Sequence, residues 1–270
     1  MPDTSRVSPT AHYTAYVWFR NGLSHPALAT PMGRILYGAL APLNAAYRRL
    51  TGNPDLEANL LARHRTIDSL LERAIASSEI GSTMEIAAGL SPRGLRFVRR
   101  HPDLVYLEGD LPDMAAEKAR LLGGLLGPNH RVAEVNALVD GGRESIAAAA
   151  DGLPAGGVGV ITEGLLNYFD EASVRGLWRR VASLLRRRGG VYLADLSVAD
   201  DTRGMAARGF TRLLEVFVRG RLHVHFASVA AARAALVDAG FTDVTVHPIG
   251  DGRYIARVIE ARARVVGSRA

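Results

Sequence analysis

The chain has 270 residues, 48% of which are apolar, and it carries a formal net charge of +6. That length and apolar content are enough to bury a large core, which excludes a wholly disordered chain. The chain contains no cysteine, which excludes disulfide bonds, thiolate metal sites and a cysteine nucleophile.

The N-terminal sequence has no signal-peptide pattern, and no apolar run approaches the roughly 18 residues of a membrane span. We therefore expect a cytoplasmic protein with no membrane partner. Lys118 is the only lysine among 33 basic residues. This arginine bias is typical of a GC-rich genome, so we expect no nucleic-acid partner. The densest basic run, "LLRRRGG" at 184–190, closes a predicted helix and is either a solvated helix end or a binding patch.

From about residue 83 onward, short apolar strands alternate with helical stretches. This alternation predicts a parallel sheet with right-handed crossovers and helices on both faces. A helix and a β-hairpin follow the fifth strand, so we expect an α/β fold with seven strands, the last pair antiparallel. The predicted strands are 83–87, 104–108, 131–135, 158–162, 191–195, 243–249 and 253–261, and the predicted helices are 95–101, 113–126, 142–150, 171–187 and 229–239.

Residues 1–80 differ in character, because they are aromatic-rich and show no strand alternation. An amphipathic helix is predicted at 58–76. We interpret 1–80 as a helical cap and substrate lid, and 81–270 as the ligand-binding domain. His12, Tyr13 and Tyr16 lie early in the cap, where they either face a substrate or form ordinary aromatic packing.

The turn after the first strand, "AAGLSPRG" at 87–94, is the first candidate for ligand binding. In an open α/β sheet, ligands lie beyond the carboxyl ends of the strands. Gly89 allows a close approach of the backbone, and Glu85 lies on the strand itself. Arg93 falls at a helix N-terminus, where it either binds a carboxylate or is an exposed arginine in a turn.

The next three strands each end with a polar residue. Glu108 and Asp110 both follow the second strand, where an acid usually binds a ribose diol. Asn136 follows the third strand and is either an adenine contact or a turn residue. Glu163 lies just past the fourth strand, where a buried acid needs a partner.

These motifs together resemble one family. "RHRTID", "EIAAGLSPRG", "YLEGDLP" with "EKARLL", "VN" and "TEGLLNYF" occur in order and are similar to the leucine carboxyl methyltransferase family. The resemblance covers residues 60 to 192. It implies the Rossmann-like fold of class I methyltransferases, with the terminal antiparallel hairpin, and S-adenosylmethionine (SAM) as the cofactor.

The resemblance also assigns residues. It implies that Arg63 and Arg93 contact the SAM carboxylate, and that Asp110 rather than Glu108 binds the ribose. Asn136 takes the place of a family aspartate at the adenine. The cofactor-binding residues expected on these grounds are Arg63, Glu85, Gly89, Arg93, Asp110, Asn136, Ala137 and Glu163, and those expected to bind the acceptor are His12, Tyr13, Tyr16 and Tyr168.

The "HVHF" motif places His223 and His225 two residues apart, on one face of a strand. Either they are two ligands of a metal site for which the sequence offers no convincing third ligand, or they line a pocket and one of them acts as a general base. We name them, with Tyr16, as candidate catalytic residues, and expect no metal.

The predicted function is a SAM-dependent O-methyltransferase acting on a small-molecule carboxylate or hydroxyl in secondary metabolism, as a monomer or homodimer. A carboxylate is favoured because the resemblance implies one and because Arg20, Arg34 and the net positive charge could hold an anion. The alternatives are N- or C-methylation on the same fold, and a non-methylating protein of this fold, such as a cyclase or a binding subunit.

Overall fold

The structure is a computed structural model that describes residues 9–202, 223–250 and 254–265. Most of the predicted hairpin link at 250–252, and the start of the predicted last strand, lie outside these residues. Within the described part of the chain, no helix is long and apolar enough to cross a membrane.

The described residues form one sheet of seven strands in the order β3-β2-β1-β4-β5-β7-β6. The first five strands run parallel, and β7 is antiparallel to both β5 and β6. This arrangement confirms the predicted α/β fold. The strands are β1 Ser82–Ile86, β2 Val105–Asp110, β3 His130–Glu134, β4 Val158–Thr162, β5 Gly190–Leu196, β6 Asp243–Pro248 and β7 Arg257–Arg262.

Several of the helices begin at residues whose side chains cap them. Thr30 Oγ1, Asp55 Oδ1 and Asp170 Oδ1 each accept a hydrogen bond from the backbone N–H three residues ahead. The helices are α1 Pro9–Arg20, α2 Pro31–Thr51, α3 Leu56–Ala76, α4 Arg93–Arg100, α5 Pro112–Leu122, α6 Ile146–Asp151, α7 Glu171–Arg188 and α8 Val229–Asp238.

Two predicted helices are shorter in the structure. α6 begins at Ile146 rather than at Gly142, because Gly142 has a φ of 88° and Ser145 caps the helix. α5 ends at Leu122, since Gly123 follows with a φ of 44°. The basic run at the end of α7 is a helix end: Arg188 donates to the carbonyl oxygens of Gly156, in the loop before β4, and of Ala150, in α6.

Helices cover both faces of the sheet. α3 and α4 pack on one face against side chains such as Ile161 and Leu193, and α6, α7 and α8 pack on the other against Met84 and Val160. The alternation of side chains along each strand separates these two cores.

A third core joins α1 and α3 to the loop after β1 and to α5, through Trp18, Leu60, Leu90 and Met114. α3 therefore belongs to the layer that covers the sheet, while α1 and α2 lie at its carboxyl edge. The predicted division of the chain at residue 80 stays a prediction.

Candidate functional site

A cleft of about 250 Å³ lies at the carboxyl ends of β1, β2 and β4. This is the edge where an open α/β sheet binds its ligands. The floor comes from the loops after these strands, and the roof comes from α1 and α3. The lining residues are Thr10, Ala11, Thr14, Trp18, Leu56, Leu60, Arg63, Ala87, Ala88, Gly89, Leu90, Asp110, Met114, Glu163, Gly164, Leu165, Asn167 and Tyr168.

The turn after β1 forms the floor with left-handed backbone. Ala87 has a φ of 54° and Gly89 a φ of 48°. This conformation suits glycine but costs an alanine about 1–2 kcal/mol. A Cβ atom on Gly89 would lie 3.3 Å from the Cβ of Ala11 in α1. The turn therefore brings bare backbone close to the cleft and to its roof.

Asp110 holds this turn in place. Its Oδ2 accepts a hydrogen bond from the Gly89 N–H at 2.7 Å, and its Oδ1 accepts one from the Leu111 N–H at 2.8 Å. Burial raises the pKa of Asp110 above its ordinary value, although the two N–H groups oppose that shift. The carboxylate lines the cleft, so it can also accept hydrogen bonds from a ligand.

Glu108, the other candidate on β2, is fully buried away from the cleft. It accepts hydrogen bonds from Lys118 at 2.8 Å and pairs with His130 at 2.9 Å. Burial raises the pKa of Glu108, but Lys118 and His130 outweigh it and hold the pKa below its ordinary value. The only lysine of the chain thus neutralises a buried acid beneath the turn, and it also lies 3.4 Å from the Ala88 carbonyl oxygen.

Arg63 of α3 lies on the cleft beside two carboxylates. Its Nε donates to Glu163 at 3.1 Å and its Nη1 donates to Asp195 at 2.9 Å. Asp195 also accepts from the Gly164 N–H at 2.6 Å. Among the described residues, the Arg63 Nη2 has no hydrogen-bond partner, so it remains available to a ligand.

Glu163 is buried beneath Arg63 and has two further partners. Its Oε2 lies 2.8 Å from His64 Nδ1 and 2.5 Å from Arg93 Nη2. Burial raises the pKa of Glu163, but His64, Arg93 and Arg63 together hold it well below its ordinary value. Glu163 is therefore an ionised support for Arg63.

Arg93 is not the exposed turn arginine of the alternative interpretation, and its contact with a ligand stays a prediction. The Arg93 side chain is fully buried and does not line the cleft. Its Nε donates to Asp68 at 2.6 Å, and its two Nη atoms contact Glu85 and Glu163. Glu85 is likewise buried, accepts from the Tyr106 hydroxyl and does not line the cleft, so its cofactor contact stays a prediction.

α1 presents a different face to the cleft from the one predicted. Successive helix residues are rotated by about 100°, so that Thr10, Ala11, Thr14 and Trp18 face the cleft. The residues predicted to bind the acceptor, His12, Tyr13 and Tyr16, do not line it. His12 Nδ1 lies 2.8 Å from Thr30 Oγ1, and Tyr13 accepts a hydrogen bond from Asn44.

Tyr16 packs against the rings of Phe19 and Tyr37. Aromatic packing, the alternative interpretation of the cap, therefore describes Tyr13 and Tyr16, whereas His12 is hydrogen-bonded to Thr30. The catalytic role of Tyr16 stays a prediction, and its side chain does not line the cleft.

Asn136 is a turn residue. Its Oδ1 accepts from the Leu138 N–H at 2.9 Å, and neither Asn136 nor Ala137 lines the cleft. The predicted adenine contact is therefore not supported by this geometry. Tyr168 does line the cleft, and burial raises the pKa of its hydroxyl.

His223 and His225 lie in an irregular segment rather than on a strand, with their rings stacked 5.8 Å apart. The His223 N–H donates to the Asn167 carbonyl oxygen at 2.9 Å, and His225 Nε2 lies 2.6 Å from the Phe169 oxygen. They support the segment that carries Tyr168 but do not line the cleft. Nowhere in the described ranges do three or more metal-binding side chains cluster.

Sequence reasoning did not identify three residues of the site as functional. Asp195 ends the fifth predicted strand, and parallel pairing with β4 could have placed it beside Glu163. His64 lies within the amphipathic helix predicted at 58–76, where the apolar periodicity did not mark it as a polar partner. Lys118 carried a sequence signal, because it is the only lysine among many arginines. The structure shows that it is buried beside an acid, Glu108.

No protein-family model matches the chain, and none of the curated proteins matches its sequence significantly. Solved structures do match its fold. A proposed methyltransferase from Thermobifida fusca shares 13% identity, with a TM-score of 0.67 over 97% of both chains. A DUF574 family protein from Streptomyces avermitilis shares 14%, with a TM-score of 0.66 over 94% of this chain and 97% of its own.

An O-methyltransferase family protein from Burkholderia thailandensis shares 19% identity, with a TM-score of 0.52 over 86% of this chain and 70% of its own. The chain has the Rossmann-like methyltransferase fold. At these levels of identity the likeness establishes the fold alone.

Proposed function

We propose that this protein is a SAM-dependent methyltransferase that methylates an oxygen of a small molecule of secondary metabolism. One observation carries the proposal. On a fold shared with methyltransferases, the cleft brings together the Gly89 turn, the Asp110 carboxylate and the Nη2 of Arg63, to which no described residue is hydrogen-bonded.

The charges of the cleft fit SAM. The sulfonium and amino groups of SAM outweigh its carboxylate, so the cofactor carries a net positive charge. The cleft is lined by one cation, Arg63, and two carboxylates, Asp110 and Glu163, within the part of the chain that the structure describes. This net negative lining attracts a cationic cofactor.

Each polar group then has a role. The Nη2 of Arg63 would bind the SAM carboxylate through a charge-assisted hydrogen bond. Asp110 would accept hydrogen bonds from the ribose hydroxyls, and the Gly89 backbone would lie against the methionyl part. Glu163 and Asp195 hold Arg63 in position from below.

SAM supplies an electrophilic methyl group, and its transfer is a direct displacement. The protein has to align the acceptor with that methyl group and to exclude water. Trp18, Leu56 and Leu60 give the roof of the cleft an apolar surface suited to both tasks.

The part of the argument for a carboxylate acceptor that rests on Arg20 and Arg34 loses its support. The guanidinium of Arg20 lies 5.2 Å from the centre of the Tyr37 ring, Arg34 is exposed on α2, and neither lines the cleft. The proposal therefore names an oxygen acceptor, either carboxylate or hydroxyl.

The test is methyl transfer from SAM carrying a trideuterated methyl group to a panel of aromatic acids and phenols, followed by mass spectrometry. We expect a labelled methyl ester or ether. His225→Gln and His223→Gln should lower the rate by less than about 10²-fold, the size of general-base help, because neither side chain lines the cleft. A product labelled on nitrogen or carbon, or SAM binding without any transfer, would contradict the proposal.

A further inference from the structure

α2 exposes an apolar face that no other described residue covers. Met32 is 51% exposed, Ile35 67%, Leu43 43% and Leu50 86%. These are four of the eight large apolar side chains that the described structure leaves exposed. Large apolar residues gathered on one surface mark an interaction site, whereas scattered ones are ordinary.

The exposed apolar residues form a continuous stripe. Steps of three or four residues keep side chains on one face of a helix. The stripe runs through Met32, Ile35, Ala39, Leu43, Ala46 and Leu50, all of them exposed. It follows α2 over nearly its whole length, about 30 Å for 21 residues. We call it the α2 stripe.

The charged residues of α2 have a single sign, and helical spacing places Arg49 at the flank of the stripe and Arg34 further round the helix. α2 contains three arginines, Arg34, Arg48 and Arg49, and no acidic residue. Arg48 pairs with Asp55 at 3.3 Å. Arg34 and Arg49 are exposed and, among the described residues, make no ion pair. The surface therefore combines an apolar stripe with free cations.

We propose that α2 docks the protein on an anionic lipid surface. An amphipathic helix binds such a surface by burying its apolar stripe at the headgroup boundary while arginines at its other exposed positions, here Arg49 at the flank and Arg34 further round, contact lipid phosphates. A second copy of α2 would bring only further arginines to the contact, and like charges across an interface are unfavourable. A nucleic acid would satisfy the arginines but leave the stripe exposed.

The docking surface lies on the outer side of the cap. Tyr13 and Tyr16 of α1 pack against Tyr37 of α2, while the opposite face of α1 lines the cleft. A bilayer beneath α2 would thus lie one helix away from the cleft. This inference departs from the sequence expectation of no membrane partner. It does not depend on the proposed methyl transfer, since it rests on α2 alone.

The test is co-sedimentation of the full chain with vesicles of phosphatidylcholine alone and of phosphatidylcholine with 30% phosphatidylglycerol, about one lipid in three being anionic. Two double variants alter α2: Ile35→Ser with Leu50→Ser, and Arg34→Gln with Arg49→Gln. Matched controls alter exposed residues elsewhere: Leu138→Ser with Val237→Ser, and Arg65→Gln with Arg99→Gln. Circular dichroism melting checks that every variant folds.

We expect the unaltered chain to bind the anionic vesicles, to bind less at high salt, and to lose about 10-fold or more in affinity in each α2 variant but not in the controls. Failure of the unaltered chain to bind would overturn the proposal. So would equal losses in the Arg65/Arg99 control, which would reveal a general charge effect. A dimer in solution that the Ile35/Leu50 variant converts to monomer, without vesicle binding, would assign the stripe to a second copy instead.

Discussion

Replacing Arg93 by methionine tests the buried ion cluster that supports the cleft. Methionine fills similar space but leaves Asp68, Glu85 and Glu163 without their shared cation. Removing one partner of a buried ion pair typically costs about 3–5 kcal/mol. Because three carboxylates lose a partner here, we expect a loss near the upper end, about 5 kcal/mol. That is a large part of the roughly 5–15 kcal/mol that stabilises a typical folded protein.

The assay is urea unfolding at pH 7 followed by circular dichroism. Arg99→Met is the matched control, because Arg99 lies on the same helix but is exposed. Its effect should stay within about 0.5 kcal/mol. If Arg93→Met cost no more than Arg99→Met, the buried cluster would not exist as described. If it instead removed SAM binding and left stability unchanged, Arg93 would be a ligand contact after all.

The same variant has a predictable pH dependence. The pKa values of Asp68 and Glu163 lie below their ordinary values: burial raises them, but Arg93 and the other neighbouring cations outweigh burial. Acids of this kind add stability above their unfolded pKa of about 4, and that stability is lost as the pH falls through the folded pKa. The difference in unfolding free energy between the unaltered chain and Arg93→Met should therefore shrink as the pH falls below about 4, towards the lowered pKa values of the folded state. A constant difference would contradict this assignment.

Three further outcomes follow from single sites. Lys118→Met should cost about 3–5 kcal/mol in urea unfolding, because it leaves the fully buried Glu108 without its cation; a loss below 1 kcal/mol would show that His130 suffices. Ala87→Gly should leave stability unchanged or raise it by up to about 1 kcal/mol, since relief of the left-handed strain outweighs the added unfolded-state entropy; a clear loss would mean that Ala87 is not strained. Affinity for SAM should begin to fall at a pH above the ordinary aspartate value of about 3.9, because burial raises the pKa of Asp110; titrations that stay flat down to that value would refute its role.

The order of the elements could be predicted from the sequence, because strand and helix periodicity are local properties. The alternation of apolar strands and helices, with the final hairpin, predicted the seven-stranded sheet that the structure has. Helix ends were less accurate, since Gly142 and Gly123 stop helices through backbone conformation, which periodicity does not register.

The site was predictable in position but less so in detail. Gly89 and Asp110 follow strands whose ends meet at one edge of the sheet, so their proximity follows from topology. The partners of Arg93 come from α3, β1 and the loop after β4, which are distant in sequence. The sequence could not tell that three acids would enclose this arginine. The rotation of α1, which decides whether Tyr16 or Thr14 faces the cleft, likewise depends on tertiary packing.

The most direct test of the central claim is calorimetric titration of the protein with S-adenosylhomocysteine, the methyl-transfer product of SAM. The account predicts saturable binding of one ligand per chain. Asp110→Asn should weaken this binding about 10-fold or more, the cost of a lost charge-assisted hydrogen bond, whereas the exposed control Asp103→Asn should not. Absence of binding to the unaltered chain, or equal affinity in Asp110→Asn, would contradict the claim that this cleft is a SAM site.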